Sequence, residues 1–377
     1  MKIHILTGVF FPELHPRAFR AHELAKEFSK QGHNVTVSIL TTVKGFDYEN
    51  LAKDESIQIN LLNLYTAEPN SNKRQVFSSK NSVLIWLYRI YRLCIGYFIA
   101  GNLLTNSRKI SRKLKIESDC DLMISLSTPF MNLYGTALYR KKHNNQHTVF
   151  VADSGDPFYY SQQAKHAFYF RWLEKWVYKY FDFLAIPTEN AIPAYGKLLK
   201  SNKIKIIPQG FDFNAVQLVD KVNNERVTFA FAGVFYQDIR NPEFLLKYLS
   251  ELDSDFMFKV YLRYNDPQIT VILDKYQKML GNKLEINYGV SREKLIYELS
   301  SCDFLINIGN TTSTQLPSKL IDYGITKRPF YSCIKSTFDK EMFEQFLKRD
   351  YSSFKPLDIS KYSINVVTSQ FLSLIKK

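Results

Sequence analysis

The sequence predicts an α/β chain made of two parallel-sheet halves. Short apolar runs rich in Val, Ile, Leu and Phe alternate with amphipathic helical patterns, as in a sheet covered on both faces. The alternation pauses between residues 196 and 222 and then starts again. The length, 377 residues, exceeds one typical domain and suits two.

Taken in order, residues 3–6 read as the first strand, 18–31 as a helix stopped by Gly32, and 35–40 as the next strand. Strands at 122–126, 149–152 and 183–186 follow, with helices at 131–142 and 169–181 between them. The second half opens on 203–212, a strand leading into a turn, and on a polar linker, 220–226. Strands at 227–232, 258–262, 284–288 and 303–308 continue it, with a helix at 242–252. The last helix, 360–376, suits either half by its own pattern.

Composition narrows the partners. The net charge of +14 favours an anion: nucleotide, nucleic acid or acidic lipid. Cys94, Cys120, Cys302 and Cys333 are scattered without metal spacing and read as reduced thiols of a cytoplasmic protein. Met1-Lys-Ile-His-Ile-Leu runs straight into a strand, so no signal peptide is expected.

The strongest local pattern is Thr314-Gln-Leu-Pro-Ser-Lys-Leu-Ile-Asp-Tyr-Gly324, after the strand 303–308 and a polar loop. Pro317 and Ser318 suit a helix start. A helix N-terminus gathers free N–H groups and positive dipole, and Lys319 adds a full charge, which suits phosphate. Asp322 shares the face of Lys319, about 4.5 Å deeper along the axis, where a carboxylate can hold a ribose hydroxyl. The pattern equally fits an ordinary strand–loop–helix with a solvated lysine.

Other candidates also follow strands. After 227–232, Gly233 permits close backbone approach and Arg240 offers a fork for a diphosphate, unless it is a plain surface arginine. Arg263 follows 258–262 and can join them, and Gly289 with Val290 lets a flat base approach the backbone. In the first half, Glu13, His15 and Arg17 lie on a long loop that Pro12 and Pro16 also shape. Asp153-Ser-Gly-Asp-Pro157 offers two carboxylates, Asp156 above all, for acid/base work or sugar hydroxyls. The same residues suit a helix cap or an Asx-turn, and as a metal site they lack a third ligand. There is no P-loop, dinucleotide-binding fingerprint, zinc pattern or nucleophile elbow.

The segment Val83-Leu-Ile-Trp-Leu-Tyr-Arg-Ile-Tyr-Arg-Leu-Cys-Ile-Gly-Tyr-Phe-Ile99 is unusually apolar. Arg89 and Arg92 would each cost about 2.5–3.5 kcal/mol at a bilayer centre, so it makes a poor spanning helix. Flanking cations, among them Lys73, Arg74, Lys80, Arg108, Lys109, Arg112, Lys113 and Lys115, suit a helix lying on an anionic membrane surface over 73–115. A core or interdomain helix with snorkelling arginines is the other reading.

The ordered set of motifs resembles a retaining glycosyltransferase of the family-four type, with the GT-B fold, over nearly the whole chain. The resemblance rests on Phe10-Phe-Pro-Glu13, Glu23-Leu-Ala-Lys-Glu-Phe and Gly32-His-Asn-Val-Thr-Val, then Ile206-Ile-Pro-Gln-Gly-Phe-Asp212. Gly233 to Arg240, Gly289-Val-Ser-Arg-Glu-Lys-Leu295, Cys302-Asp303 and Leu316-Pro-Ser-Lys-Leu-Ile-Asp-Tyr323 complete it. Asp153 to Pro157 resembles a loop of the bacterial surface-polysaccharide group. Two departures stand out. His15 and Pro16 stand near the place of a glycine pair, and Thr314 and Asp322 occupy the places of two glutamates.

The resemblance implies two Rossmann-like domains facing across a cleft, divided at 1–200 (acceptor side) and 201–359 (donor side), with 360–377 packing back on the first. It implies transfer of a sugar, with retention, from a UDP- or GDP-sugar to a lipid-linked saccharide in surface-polysaccharide synthesis. Arg240, Lys319, Asp322, Ser318, Gly233, Arg263, Gly289 and Val290 would bind the donor, and Glu13, Asp156 and His15 would face sugar and acceptor. No metal or other cofactor is expected, and the place is cytoplasmic, peripheral on the inner face of the plasma membrane. A nucleotide-sugar epimerase of this fold and a non-catalytic sugar-nucleotide or membrane-binding subunit are the alternatives. Nucleic acid is not expected, because the basic residues flank an apolar helix and not an aromatic-lined groove.

Overall fold

In the computed structural model, which describes residues 1–13, 15–67, 82–143, 145–160, 165–220, 223–237, 240–263, 266–309 and 318–375, strand and helix alternate from the first residues. The chain divides into two units, Met1–Phe211 with Tyr362–Lys377, and Asp212–Lys361.

The first unit contains β1 (Lys2–Thr7), α1 (Pro16–Lys30), β2 (Asn34–Val43), α2 (Tyr48–Asp54), β3 (Gln58–Ala67), α3 (Ser82–Cys94), α4 (Leu103–Lys113) and β4 (Leu122–Leu126). It goes on through α5 (Met131–Lys142), β5 (Val149–Asp153), α6 (Phe170–Tyr178), β6 (Phe183–Ile186), α7 (Ile192–Tyr195) and β7 (Ile204–Ile206). The strands form one parallel sheet in the order β3-β2-β1-β4-β5-β6-β7. Central β4 is buried at every residue, as expected of an apolar run covered on both faces, while edge strand β3 is largely exposed.

Helix α1 shows how such a face is made. His15 caps its start, Pro16 takes the first turn, and Ala18, Ala21, Leu24, Ala25 and Phe28 repeat at helical spacing to form the buried stripe. The C-terminal helix packs beside α1, with Ile364, Val367 and Phe371 in the same cluster as Leu24 and Phe28. Gly210 lets the chain pass: a Cβ there would fall 2.5 Å from Ile364 Cδ1. Phe371→Ala would cost about 3–5 kcal/mol by emptying that cluster.

The second unit contains β8 (Val227–Gly233), α8 (Glu243–Ser250), β9 (Phe256–Leu262), α9 (Pro267–Leu280), β10 (Leu284–Tyr288), α10 (Arg292–Ser300), β11 (Phe304–Ile308), α11 (Ser318–Thr326), β12 (Phe330–Cys333) and α12 (Lys340–Leu347). The helix of the first unit's C-terminal segment is then α13 (Ile364–Ser373). The second sheet is also parallel, in the order β10-β9-β8-β11-β12. Phe229 lies in register with Phe258 and Phe304, and its ring stacks on both at 4.9 and 4.8 Å. This row of rings fixes the pairing of the three central strands.

Two expectations need correction. The strand within 203–212, read as the opening of the second half, pairs with β6 and closes the first sheet. A helical crossover through α7 and a 3₁₀ turn, Ser201–Lys203, brings the chain back parallel to β6 at the edge of that sheet. The apolar segment 83–99 is not one α-helix, because α3 ends at Cys94 and a π-helical turn, Ile95–Ile99, follows. Ala100, at φ 52°, stops that turn in the left-handed region.

Each sheet reverses its strand order at one place, between β1 and β4 and between β8 and β11. Loops diverge there, so the carboxyl ends of those strands are where open α/β sheets bind ligands.

Candidate functional site

In the second unit, the reversal brings two cations together. Lys319, in the first turn of α11, runs back over the Phe231 ring at 4.8 Å, and its Nζ donates to the Ile308 carbonyl at 2.9 Å. Arg240 exchanges backbone hydrogen bonds with Tyr236 at 3.2 Å, and its Nη1 donates to the Val234 carbonyl at 3.1 Å. Its Nε is buried with no hydrogen-bond partner. Burial pushes the Lys319 ammonium down to about 7, and the nearby Arg240 charge adds to this. Burial also lowers the Arg240 guanidinium from its ordinary value. Among the described residues, neither is in an ion pair with a carboxylate. Two like charges held close, whose hydrogen-bond acceptors among the described residues are carbonyls, suit an anion.

Tyr323 builds the opening. The β8–β11 ladder runs only through Phe229–Phe304 and Ala230–Leu305. Beyond it the buried Tyr323 hydroxyl accepts the Ala232 N–H and donates to the Ile306 carbonyl, both at 2.9 Å. The strands part without leaving those backbone groups unmet, and α11 is anchored over the gap.

The remaining expected donor residues are spread along the strand ends. Gly233 ends β8 at φ 144°, a conformation that side chains disfavour. The exposed Arg263 donates its backbone N–H to the Gly233 carbonyl at 3.3 Å. Gly289 stands at φ 63° with open space around its Cα, and Val290 packs on the cluster that holds Tyr261 and Tyr323. A groove of about 890 Å³, lined by Arg240, Phe244, Tyr276, Gly309 and Ile334, runs beside these ends, although Lys319 does not line it. Its size suits a nucleotide-sized ligand.

Asp322 differs from the shared face that its spacing suggests. Lys319 turns to the sheet, whereas Asp322 accepts from Arg292 Nη2 at 2.7 Å and Nε at 3.1 Å. Burial pushes its carboxyl up while Arg292 opposes the shift. Arg292, which opens α10, was visible in the sequence only as part of a motif. Ser318 starts α11 as expected, with its side chain outside what the structure describes. Thr314 and Pro317 lie outside the described residues.

In the first unit the strand ends carry a locked cluster. The buried Asp153 at the end of β5 receives Arg17 Nη1 at 2.8 Å and Arg20 Nε at 2.6 Å. Arg20 also donates to the carbonyls of Pro208 and Ile207. Gly155 makes room for Arg17, since a Cβ there would lie 2.2 Å from its Nη2. Arg17 thereby ties the Glu13–His15 loop to the loop of Asp156.

Those three expected residues have distinct surroundings. Glu13 has a buried Oε1 without a hydrogen-bond partner, and burial pushes its carboxyl up. His15 is exposed, and its ring Nδ1 accepts the Arg17 N–H at 3.1 Å, so it caps α1. Asp156 is exposed just beyond the triad. A residue the sequence reading passed over, Glu174, holds this loop: it accepts the N–H groups of Phe158 and Tyr159 at 2.8 and 2.9 Å. Burial pushes Glu174 up to about 7, and the two N–H bonds pull the other way. Its signal was present, because Glu174 falls on the stripe of Phe170, Val177 and Tyr178 that α6 buries.

Among the described residues, no group of three or more His, Cys, Asp or Glu side chains is placed to hold a metal ion, and no helix is long and apolar enough to cross a membrane.

No protein-family model matches the sequence, and no curated protein matches it. Solved structures do match the fold. A glycosyltransferase from Rickettsia africae aligns at 13% identity and TM-score 0.60, over 100% of this chain and 97% of that one. HepE of Anabaena, in complex with UDP, aligns at 10% identity and TM-score 0.58 over all of both chains. The lipopolysaccharide outer core galactosyltransferase WaaB aligns at 11% identity and TM-score 0.54, over 100% of this chain and 99% of that one. The chain therefore has the GT-B fold of two parallel α/β units.

Proposed function

We propose that this chain is a glycosyltransferase of the family-four type, moving a sugar from a nucleotide-diphosphate donor to a lipid-linked saccharide with retention. The observation that carries the reading is the Arg240–Lys319 pair at the strand-order reversal of the second unit, with no carboxylate partner among the described residues. UDP in the HepE structure, and the designation of WaaB as a lipopolysaccharide outer core galactosyltransferase, support a sugar-nucleotide donor and a surface-polysaccharide acceptor.

In the reaction, the bond between the anomeric carbon and the diphosphate oxygen breaks, and the electron pair leaves on the diphosphate. Arg240 and Lys319 stabilise that charge, the work a metal ion does in other transferases, so no metal is needed. Asp322, oriented by Arg292, holds the ribose, and Ser318 and the N–H groups of α11 add donors. Gly233, Arg263, Gly289 and Val290 shape the rest of the donor site. The acceptor hydroxyl forms the new glycosidic bond, and Glu13 and Asp156 are the carboxylates available for its proton. His15, at the cap of α1, orients the loop of Glu13. The enzyme works in the cytoplasm, on the inner face of the plasma membrane, through 73–115.

The test is direct. UDP- and GDP-sugars are screened for thermal stabilisation, where ligand at about 100 times its dissociation constant adds about 2.7 kcal/mol. Lys319→Ala and Arg240→Ala should each lose turnover while keeping the fold. Near-wild-type turnover in both variants would sink the diphosphate assignment. Donor binding without release of nucleotide diphosphate in the presence of any lipid-linked acceptor would point to a non-catalytic subunit, the reading that Thr314 favours.

A further inference from the structure

Across residues 153–160, Asp156 alone is exposed; Asp153, Ser154 and Pro157 are buried and the rest are half-buried. A loop at a strand end ordinarily runs over the surface, with its backbone open to water. This one is met from beneath by side chains from three helices of its own unit. Arg17 of α1 holds Asp153 and lies against Gly155. Tyr195 of α7, fully buried, donates its hydroxyl to Ser154 Oγ at 2.7 Å, and Ser154 Oγ donates to the Asp156 carbonyl at 3.1 Å. The serine hydroxyl thus both accepts and donates, which fixes its rotation. Glu174 of α6 closes the far side, with Oε1 accepting the Phe158 N–H at 2.8 Å and Oε2 the Tyr159 N–H at 2.9 Å.

Packing does not account for Glu174. It is 0% exposed and shares its stripe with Phe170 and Val177, where a leucine would pack with no charge to desolvate. Its two oxygens go instead to two consecutive N–H groups, so they order a stretch of backbone. Side chains that break the local pattern in this way gather at functional sites. The residue that this cluster leaves to solvent is Asp156.

We infer that Glu174, Tyr195 and Ser154 are positioning residues, which fix this loop before any ligand arrives and so hold the Asp156 carboxylate in one orientation toward an acceptor hydroxyl. All three are buried, so they act through the loop backbone and not by touching the acceptor. A carboxylate held this way needs no ordering of its loop when the acceptor binds. The part of Asp156 at an acceptor rests on the proposed function; the ordering of its loop does not.

The experiment uses the full chain and two variants, Glu174→Leu and Tyr195→Phe. Amide hydrogen exchange over 154–159 should speed up about tenfold in each, with β5 and α6 unchanged. Glu174→Leu should unfold no lower than the wild-type chain, because leucine suits the stripe. Transfer from the UDP- or GDP-sugar that stabilises the chain to a polyprenyl-linked saccharide should fall by up to about 100-fold, in kcat more than in KM, with UDP affinity unchanged. Glu174→Gln keeps one acceptor oxygen and should restore part of both losses. Wild-type exchange in Glu174→Leu and Tyr195→Phe would overturn the inference. So would faster exchange with wild-type transfer, or a loss of transfer that only follows a loss of thermal stability. A wild-type chain that transfers no sugar would instead sink the proposed function, and the role of Asp156 at an acceptor with it, whatever the variants show.

Discussion

Both units place cations at the carboxyl ends of their strands, yet the two sets live under opposite conditions. In the first unit Arg17 and Arg20 close on the buried Asp153, and Arg20 spends its other donors on Pro208 and Ile207. In the second unit Arg240 and Lys319 lie near each other, with carbonyls and aromatic rings as their side-chain partners among the described residues, and burial pushes both below their ordinary values. The first set is complete, so its charge serves the fold. The second has no carboxylate partner among the described residues, and the proposed function gives its charge to the donor diphosphate. A cation at a strand end is thus informative only through its partners.

Substitutions can break this comparison. Asp153→Ala strands two guanidinium groups and should cost about 3–5 kcal/mol in urea denaturation. An unchanged midpoint would show that the triad does not hold the fold. Glu174 tests the same locked cluster through pH. Its folded carboxyl titrates near 7 against an ordinary 4.5, so the folded state keeps a proton that the unfolded state releases. Its contribution is present below pH 4.5 and is lost as pH rises toward 7, by up to about 3 kcal/mol. Glu174→Gln should flatten stability across that window, and an unaltered slope would contradict the assignment.

The second unit should respond in ligand affinity and not in stability. Lys319→Met keeps the side-chain volume and should weaken UDP binding by about 1.5–3 kcal/mol in titration calorimetry, with no loss of thermal stability. Equal affinity would remove Lys319 from the site. A smaller effect comes from pH. Below about 7 Lys319 is already charged; above it, binding an anion must take up a proton. UDP affinity should therefore fall by as much as about tenfold per pH unit above 7, with proton uptake that depends on Lys319. The smallest effect is His15→Ala, which removes a cap from α1 and should cost about 1 kcal/mol if capping is its whole role. A loss of sugar transfer beyond that would give His15 a place at the acceptor.

Much of the fold was legible because strands and helices are local. Leu122–Leu126, Phe183–Ile186 and Leu284–Tyr288 stand where their apolar runs put them. The edge strand β7 was assigned to the wrong half, because a strand's composition does not say which sheet supplies its hydrogen bonds. Among site residues, the loops following strands drew attention to Glu13, Asp156, Arg240 and Lys319. Helical spacing alone put Asp322 beside Lys319, but an i,i+3 relation fixes only a common face, and Arg292 on a neighbouring helix took the carboxylate. Glu174 was passed over because it looks like any surface glutamate until α6 is known to bury that stripe.

By itself, the sequence determined two α/β halves, a basic chain, and candidate residues at the ends of strands. Those features are written in residue periodicity and type, which act over a few neighbours. Only the tertiary structure decided that β8 lies against β11, with Tyr323 parting their ends, and so that the charge of Arg240 acts on Lys319. Strand order arises from pairing between segments far apart in the chain, and no local pattern of side chains encodes it.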